Sequence, residues 1–303
     1  MLYILQTALE LGFLYALVAM ALFLSYRILD IADLTTDGCF VLGAAVSVTL
    51  TAAGHPILAV PAAMLAGAAA GFVTAFLQTR LGVPSILAGI VTNTGLYTVN
   101  LMAMGWSSNV SLLKTETIFT MFKSTGIGGT WDETVLAGVV TVLMGGLLLL
   151  FLGTRLGLSV RATGDNRDMV RASSINPTFT ITVGLCIANA LTALSGAMVG
   201  QYQKTVDING GTGIVVIGLA CLIIGETVLG RRTVFQGILA VMVGSFIYRL
   251  IYAIVFYTKI VPVEGLKLLT AVIVALAIAS PTLKNWVAFQ RRKAAAAARR
   301  GGN

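Results

Sequence analysis

Charge is scarce in this sequence: 11% of its residues are Asp, Glu, Lys or Arg, against 57% hydrophobic. A globular chain is roughly a quarter charged, so a soluble domain is excluded, and no segment between apolar runs is long enough to hold one. Histidine is nearly absent. The one copy, His55, stands beside Pro56, whereas metal chemistry draws on clustered His, Cys or carboxylate ligands. The three cysteines, Cys39, Cys186 and Cys221, fall in apolar segments without CxxC spacing. Each reads as a small buried hydrophobe rather than a ligand or a disulfide partner. The pattern GxxxxGK(S/T) does not occur, so the chain has no backbone cradle for ATP phosphates. No cofactor is expected in this chain.

What is present in abundance is apolar length. A helix needs about 17–25 predominantly apolar residues to cross a bilayer core. Nine segments qualify, near 4–25, 37–53, 58–79, 84–104, 132–153, 177–200, 213–229, 233–256 and 265–281. The fold class is therefore all-α, a polytopic membrane protein of about nine transmembrane helices. A cleavable signal would begin with a basic region; here the first apolar run carries Glu10 and no leading positive charge, so it reads as a retained span.

Lys and Arg concentrate in short cytoplasmic loops. With the C-terminus inside, nine spans leave Arg27, Arg80, Arg155, Arg161, Arg167, Arg171, Arg231 and Arg232 inside, beside six basic residues of the tail. Only Lys114, Lys123, Lys204, Lys259 and Lys267 fall outside. The N-terminus is thus predicted outside and the C-terminus cytoplasmic, with a permease domain over 1–283 and a basic tail over 284–303. The net charge of +8 needs no nucleic acid. The tail "RRKAAAAARRGGN" lacks the interleaved groove-reading residues such binding requires and suits anionic membrane lipid. Trp106, Trp131 and Trp286 fall at predicted interfaces, as an aromatic belt would.

Charge gathers in one place, "RATGDNRDMVRASSINP" at 161–177. Thr163 or Asp165 is a plausible N-cap, Pro177 suits the first turn of the following span, and a short helix is predicted near 165–174. Arg167 and Arg171 share a face, where like charges repel, and Met169, Val170 and Ala172 add an apolar component. Two readings stand: a solvated loop whose arginines fix topology, or a helix presented to an acidic or polar groove on a partner.

On five other stretches, from "SYRILDIADLTTDGCFVLGAAV" (25–46) to "GLKLLTAVIVALAI" (265–278), the sequence resembles a known family, the membrane-spanning permeases of bacterial ABC importers in the branched-chain amino acid and ribose permease superfamily. The closest likeness is to the tryptophan/tyrosine uptake permease subgroup. "SYRILDIADLTTDGCFVLGAAV" (25–46) resembles its "ADLT-x-DG-x-F-x-LGA" element, and "PSILAGIVTNTGLYTVNLMAMG" (84–105) its proline-led fourth span. "IIGETVLG" (223–230), "IYRLIYA" (247–253) and "GLKLLTAVIVALAI" (265–278) continue the likeness in order. The resemblance implies that the cytoplasmic segment 154–176 forms a coupling helix docked on a separate ATP-binding cassette ATPase, which binds ATP and Mg. Arg161, Asp165, Asn166, Arg167, Asp168 and Arg171 would make that contact. It further implies an extracytoplasmic solute-binding protein, a second permease copy (a homodimer, or a paired heterologous permease), and the bacterial inner membrane. The solute implied is small, an aromatic or branched amino acid among others, and the chain itself would not be an enzyme.

Polar residues within spans are expensive, about 3 kcal/mol for an ionised side chain near the midplane. Asn93, Tyr97 and Asn100 fall at i, i+4 and i+7 of the fourth span, so their face must meet protein or water. Either interhelical hydrogen bonding or a translocation path would account for them, and Asn189 with Thr192 repeats the feature more weakly. Glu10 is expected near the outer surface within reach of water. Glu226 is expected to snorkel to the inner interface and pair with Arg231 and Arg232, a pathway role being the alternative. Arg249 is expected in an ion pair with Glu264 or Glu10, ahead of direct substrate contact. Gly67 with Gly71, and Gly196 with Gly200, have the GxxxG spacing of close helix packing. The competing function, an ion-gradient-driven secondary transporter, would want carboxylates or broken helices near the midplane, and the carboxylates read as lying towards span ends. An intramembrane enzyme ranks lower, because no base lies near a buried nucleophile.

Overall fold

The computed structural model describes residues 2–258, apart from 114, 125, 127 and 128, together with scattered helical positions from 268 to 279. The first helix, α1 (Leu2–Leu22), runs into a π-turn at Phe23–Ile28, and the whole is long and apolar enough to cross a membrane. So are α3 (Pro56–Thr79), α4 (Ser85–Ala103), α6 (Asp132–Gly153), α9 (Pro177–Gln203) and α11 (Val234–Thr258). Two further apolar helices, α2 (Thr36–Ala52) and α10 (Ile214–Leu229), are shorter. Eight of the nine predicted segments are thus apolar helices. The ninth, 265–281, lies largely outside the described residues, as do Glu264, Trp286 and the tail.

The helices sort into a centre and a periphery. In α1 and α9, 78% and 72% of the apolar window is buried, against 28% in α4 and in α6. The central α9 packs against α2, α3 and α1, while α1 also packs against α11, α6 and α10. Small residues allow these approaches. A Cβ on Gly43 would overlap the Ala193 backbone, and one on Gly196 the Phe40 carbonyl, so α2 and α9 touch main chain to main chain. Gly67 and Gly71 of α3 meet the Asn189 and Leu185 carbonyls of α9. Lipid tails are as apolar as leucine, so close packing rather than a hydrophobic difference holds such helices together.

Helix directions collect Arg27, Arg80, Arg231 and Arg232 at one end of the bundle, with α7 (Arg155–Asp165) and α8 (Arg167–Ala172). At the other end two three-residue strands, β1 (Asn109–Ser111) and β2 (Thr205–Asp207), pair antiparallel with Val110 opposite Val206. This ribbon is a small departure from a purely helical chain. Beside it, α5 (Ile118–Ser124) buries Phe119 edge-on against Tyr202, so this short helix packs on the bundle end.

The charged segment folds as two helices rather than one. Thr154 caps α7 by accepting from the Gly157 N–H at 3.1 Å, and Asn166 caps α8 by accepting from Asp168 and Met169, each at 3.0 Å. The cap is therefore neither Thr163 nor Asp165. Thr163 points inward and shares a 2.7 Å hydrogen bond with Thr180, and Asp165 closes α7. The apolar component is also smaller than expected, because Val170 is buried while Met169 stays exposed.

Candidate translocation cavity and coupling face

Both short helices begin inside the bundle. At 1.5 Å per residue, α2 and α10 span about 25 Å, less than the roughly 30 Å hydrocarbon core. Their depth follows from their neighbours. Asp33, just before α2, accepts a 2.7 Å hydrogen bond from the Asn189 side chain, half-way along α9. The segment 29–35 thus climbs through the protein interior, with Leu29 and Ile31 buried. Its polar groups are satisfied locally: the other Asp33 carboxylate oxygen accepts from the Thr35 N–H at 2.9 Å, and the Thr35 hydroxyl pairs with Thr74 at 2.8 Å. Irregular backbone at membrane depth survives only where protein supplies such partners.

The start of α10 meets the start of α2 through Asp37. Its carboxylate accepts from the N–H groups of Gly213 at 3.0 Å and Val215 at 2.8 Å. Those are orphan donors at a helix N-terminus, where the backbone dipoles favour negative charge. Gly213 turns into α10 with φ of 86°, a conformation that glycine adopts without steric cost.

Beside this junction lies a cavity of about 340 Å³, lined by Asp37, Gly38, Asn93, Tyr97, Asn100 and Thr212 among others. The polar stripe of α4 forms one wall. Asn100 is buried and its side-chain amide donates to the Gly38 carbonyl at 3.0 Å, while its side-chain oxygen Oδ1 has no hydrogen-bond partner among the described residues. Asn93 is half-buried, and Tyr97 is 49% exposed. Asn100 thus bonds between helices, and all three side chains line one space. A volume within the usual 300–1,000 Å³ of small-ligand sites, with donors and acceptors on several walls, can accommodate a small polar solute. No group of three or more His, Cys, Asp or Glu is placed to hold a metal among the described residues.

The remaining candidates are dispersed. Asn189 is turned towards Asp33, away from the cavity lining, and Thr192 bonds within its own helix to the Ala188 carbonyl. Glu10 does not reach water: it is 3% exposed and accepts from Gln6 at 3.1 Å, Thr134 at 2.8 Å and Tyr202 at 2.6 Å. The convergence of α1, α6 and α9 encloses it. Glu226 pairs with Arg27 at 2.9 Å rather than with Arg231 or Arg232. Gly230, at φ of 80°, ends α10 before those arginines, while the π-turn of α1 directs Arg27 at α10. Arg249 makes no ion pair with Glu10. Its guanidinium lies over the Tyr15 ring, 3.6 Å from the centroid, because α1 and α11 pack together and offer it an aromatic face.

Asp33 and Asp37 were not singled out from the sequence, although both stand in the quoted "ADLTTDG". The signal was two carboxylates where an apolar span begins. Their depth corrects the expectation that carboxylates lie only towards span ends, so that argument against a gradient-driven transporter falls.

At the opposite end from the ribbon, Asn166, Arg167, Asp168 and Arg171 are exposed on and before α8, and Arg171 lies 3.8 Å from Asp168. An exposed pair of that kind adds little stability, and its charges remain available to water or a partner. Arg161 and Asp165 sit on α7, which packs on the rest of the chain: a Cβ on Gly164 would overlap the Ile28 carbonyl at the end of α1. The six residues of the predicted contact thus lie on one short helical pair wedged against α1.

Comparison with known proteins resolves the choice between transporter classes. The chain is 34% identical over 270 residues to the tyrosine transport system permease protein of Clostridioides difficile (strain R20291), covering 88% of each chain. It is 30% identical over 283 residues to an uncharacterized protein of Rickettsia prowazekii (strain Madrid E), covering 91% of this chain and 97% of that one. Its fold resembles a solved inward-facing metal-chelate type ABC transporter with a TM-score of 0.52 at 16% identity, over 93% of this chain and 85% of the other. Residues 4–280 match the family described as the branched-chain amino acid transport system permease component, and the chain belongs to that family of ABC transporter permeases.

Proposed function

We propose that this permease imports an amino acid, aromatic or branched, delivered by an extracytoplasmic binding protein and driven by a separate cytoplasmic ATPase. The observation that carries the reading is the polar cavity where α2 and α10 begin within the bundle. An amino acid has both an ammonium and a carboxylate, and this junction pairs a carboxylate, Asp37, with oxygen and amide groups on α4. The relative named a tyrosine permease supports the solute class. Broken helices at mid-depth are a common way to build a transport site, since half-helix ends meet a solute there.

The coupling face would be α7 and α8, with Arg161, Asp165, Asn166, Arg167, Asp168 and Arg171 against the ATPase. Because α7 bears on the end of α1, a push on the pair reaches a central helix. Two permease copies would form the pore. Such coupling requires two global states that nucleotide and solute bias differently.

The test is uptake by proteoliposomes holding the permease with its co-purified partners. Labelled tyrosine should accumulate only with internal ATP, with leucine and other amino acids run as competitors. Tyr97→Leu should lower uptake roughly five-fold, the worth of one hydrogen bond of about 1 kcal/mol. Arg167→Glu with Arg171→Glu should lose the ATPase on purification. Absence of ATP-dependent uptake for every amino acid, with no ATPase bound, would overturn the reading.

A further inference from the structure

We propose that the cleft where the ends of α1 and α10 meet α7 binds the phosphate of an anionic phospholipid. The cleft is a cavity of about 200 Å³ whose charged lining is Arg27, Arg161, Arg231, Arg232, Glu226 and Asp165. A water molecule occupies about 30 Å³ of liquid, so there is room for a group of several heavy atoms. Four arginines against two carboxylates leave an excess of positive charge. Arg27 is fixed by Glu226 at 2.9 Å, whereas Arg161, Arg231 and Arg232 have no carboxylate within ion-pair distance among the described residues. They come from separate parts of the chain, α7 and the α10–α11 turn, and converge on one space. Planar guanidinium groups match phosphate oxygens in pairs, so three of them around one space suit a phosphate with several oxygens to share.

The surroundings favour a lipid as the source of that phosphate. Val228 and Leu229 close α10 at 59% and 46% exposure, and Phe235 and Leu239 open α11 at 55% and 40%. These outward apolar side chains flank the turn that carries Arg231 and Arg232. The cleft therefore lies where apolar helix surface gives way to basic polar surface, the level of a headgroup, and acyl chains would run along α10 and α11. Basic pockets between helix ends on the cytoplasmic side suit such headgroups. A bound phosphate would bridge α7 to the α10–α11 turn, tying the segment proposed for coupling to the ends of two spans. The inference does not depend on which solute is carried.

The test reconstitutes the permease with its partner subunits in nanodiscs of phosphatidylcholine, alone or mixed with phosphatidylglycerol or cardiolipin, and reads the thermal midpoint. Native mass spectrometry then reads the lipid retained. The variant Arg231→Gln with Arg232→Gln alters exposed side chains of a turn; Arg291→Gln with Arg292→Gln in the tail is the control for general attraction. The expected result is a higher midpoint and a retained anionic lipid in mixed discs, both lost in the turn variant and kept in the tail variant. The midpoint of the turn variant in phosphatidylcholine alone should equal that of the unaltered chain. A turn variant that keeps the shift overturns the proposal, as does loss of the shift in the tail variant alone. Inorganic phosphate giving the full shift in phosphatidylcholine discs would identify a soluble-anion site instead. A photo-crosslinker at 232 that captures the ATPase rather than lipid would assign the cleft to a protein partner.

Discussion

At the residue scale, Arg249 has a partner that its neighbours in the sequence do not disclose. A guanidinium 8% exposed in an apolar bundle needs compensation, and among the described residues an aromatic face, that of Tyr15, supplies it. A desolvated cation–π contact is worth about 2 kcal/mol. Tyr15→Leu should therefore lower stability by about that amount, whereas Tyr15→Phe, which keeps the ring, should change it little; thermal unfolding in detergent compares them. Equal effects of the two substitutions would assign the stabilisation to the Tyr15 hydroxyl instead. The sequence exposed Arg249 as anomalous, but its partner lies more than two hundred positions away. Glu226 teaches the same point, since the nearby Arg231 and Arg232 were plausible and the distant Arg27 is correct.

At the scale of elements, glycine placement divides into contact and idle positions. Gly43 and Gly196 sit where α2 and α9 meet through backbone, but among the described residues nothing lies within 4 Å of a Cβ on Gly146 in α6. Overpacking a well-filled interface costs about 1–3 kcal/mol. Gly43→Ala should therefore reduce folded yield and the thermal midpoint on size-exclusion analysis, and Gly146→Ala should leave both unchanged. The GxxxG spacings of α3 and α9 were legible in the sequence, and they do pack against neighbouring helices. Gly43 carried no such pattern; its need arises only because the Ala193 backbone comes against it. The charged segment was legible as charge and as a capped helix, but the division into α7 and α8 was not. Asn166 could cap as readily as Asp165 from sequence alone, and the buried bond to Thr180 that takes Thr163 out of reach of a capping role joins residues seventeen apart.

For the whole molecule, helix directions set the basic ends of the bundle apart from the β-ribbon, so topology can be tested at two points. With a membrane-impermeant thiol reagent on intact cells, Ser111→Cys in the ribbon should label, and Ser173→Cys just after α8 should label only after permeabilisation. The native thiols give little background, as Cys39 and Cys221 are buried and Cys186 is half-buried. The reverse pattern would invert the membrane orientation. Labelling at this scale is independent of the solute and of the ATPase, so it isolates orientation from function.

Composition and apolar periodicity by themselves determined that the chain is a membrane bundle, where most of its helices run, and which segment concentrates charge. These are local properties, since the length of an apolar run and the spacing of a polar stripe are written in neighbouring residues. Only the tertiary structure decided that α2 and α10 start within the bundle, that Asp33 and Asp37 lie there, and that α4 supplies the facing wall of a cavity. Depth is a relation between elements far apart in the chain. Asp33 is deep because it bonds to Asn189, and Asp37 joins the starts of α2 and α10 because it bonds to Gly213 and Val215. No window of sequence contains those pairs.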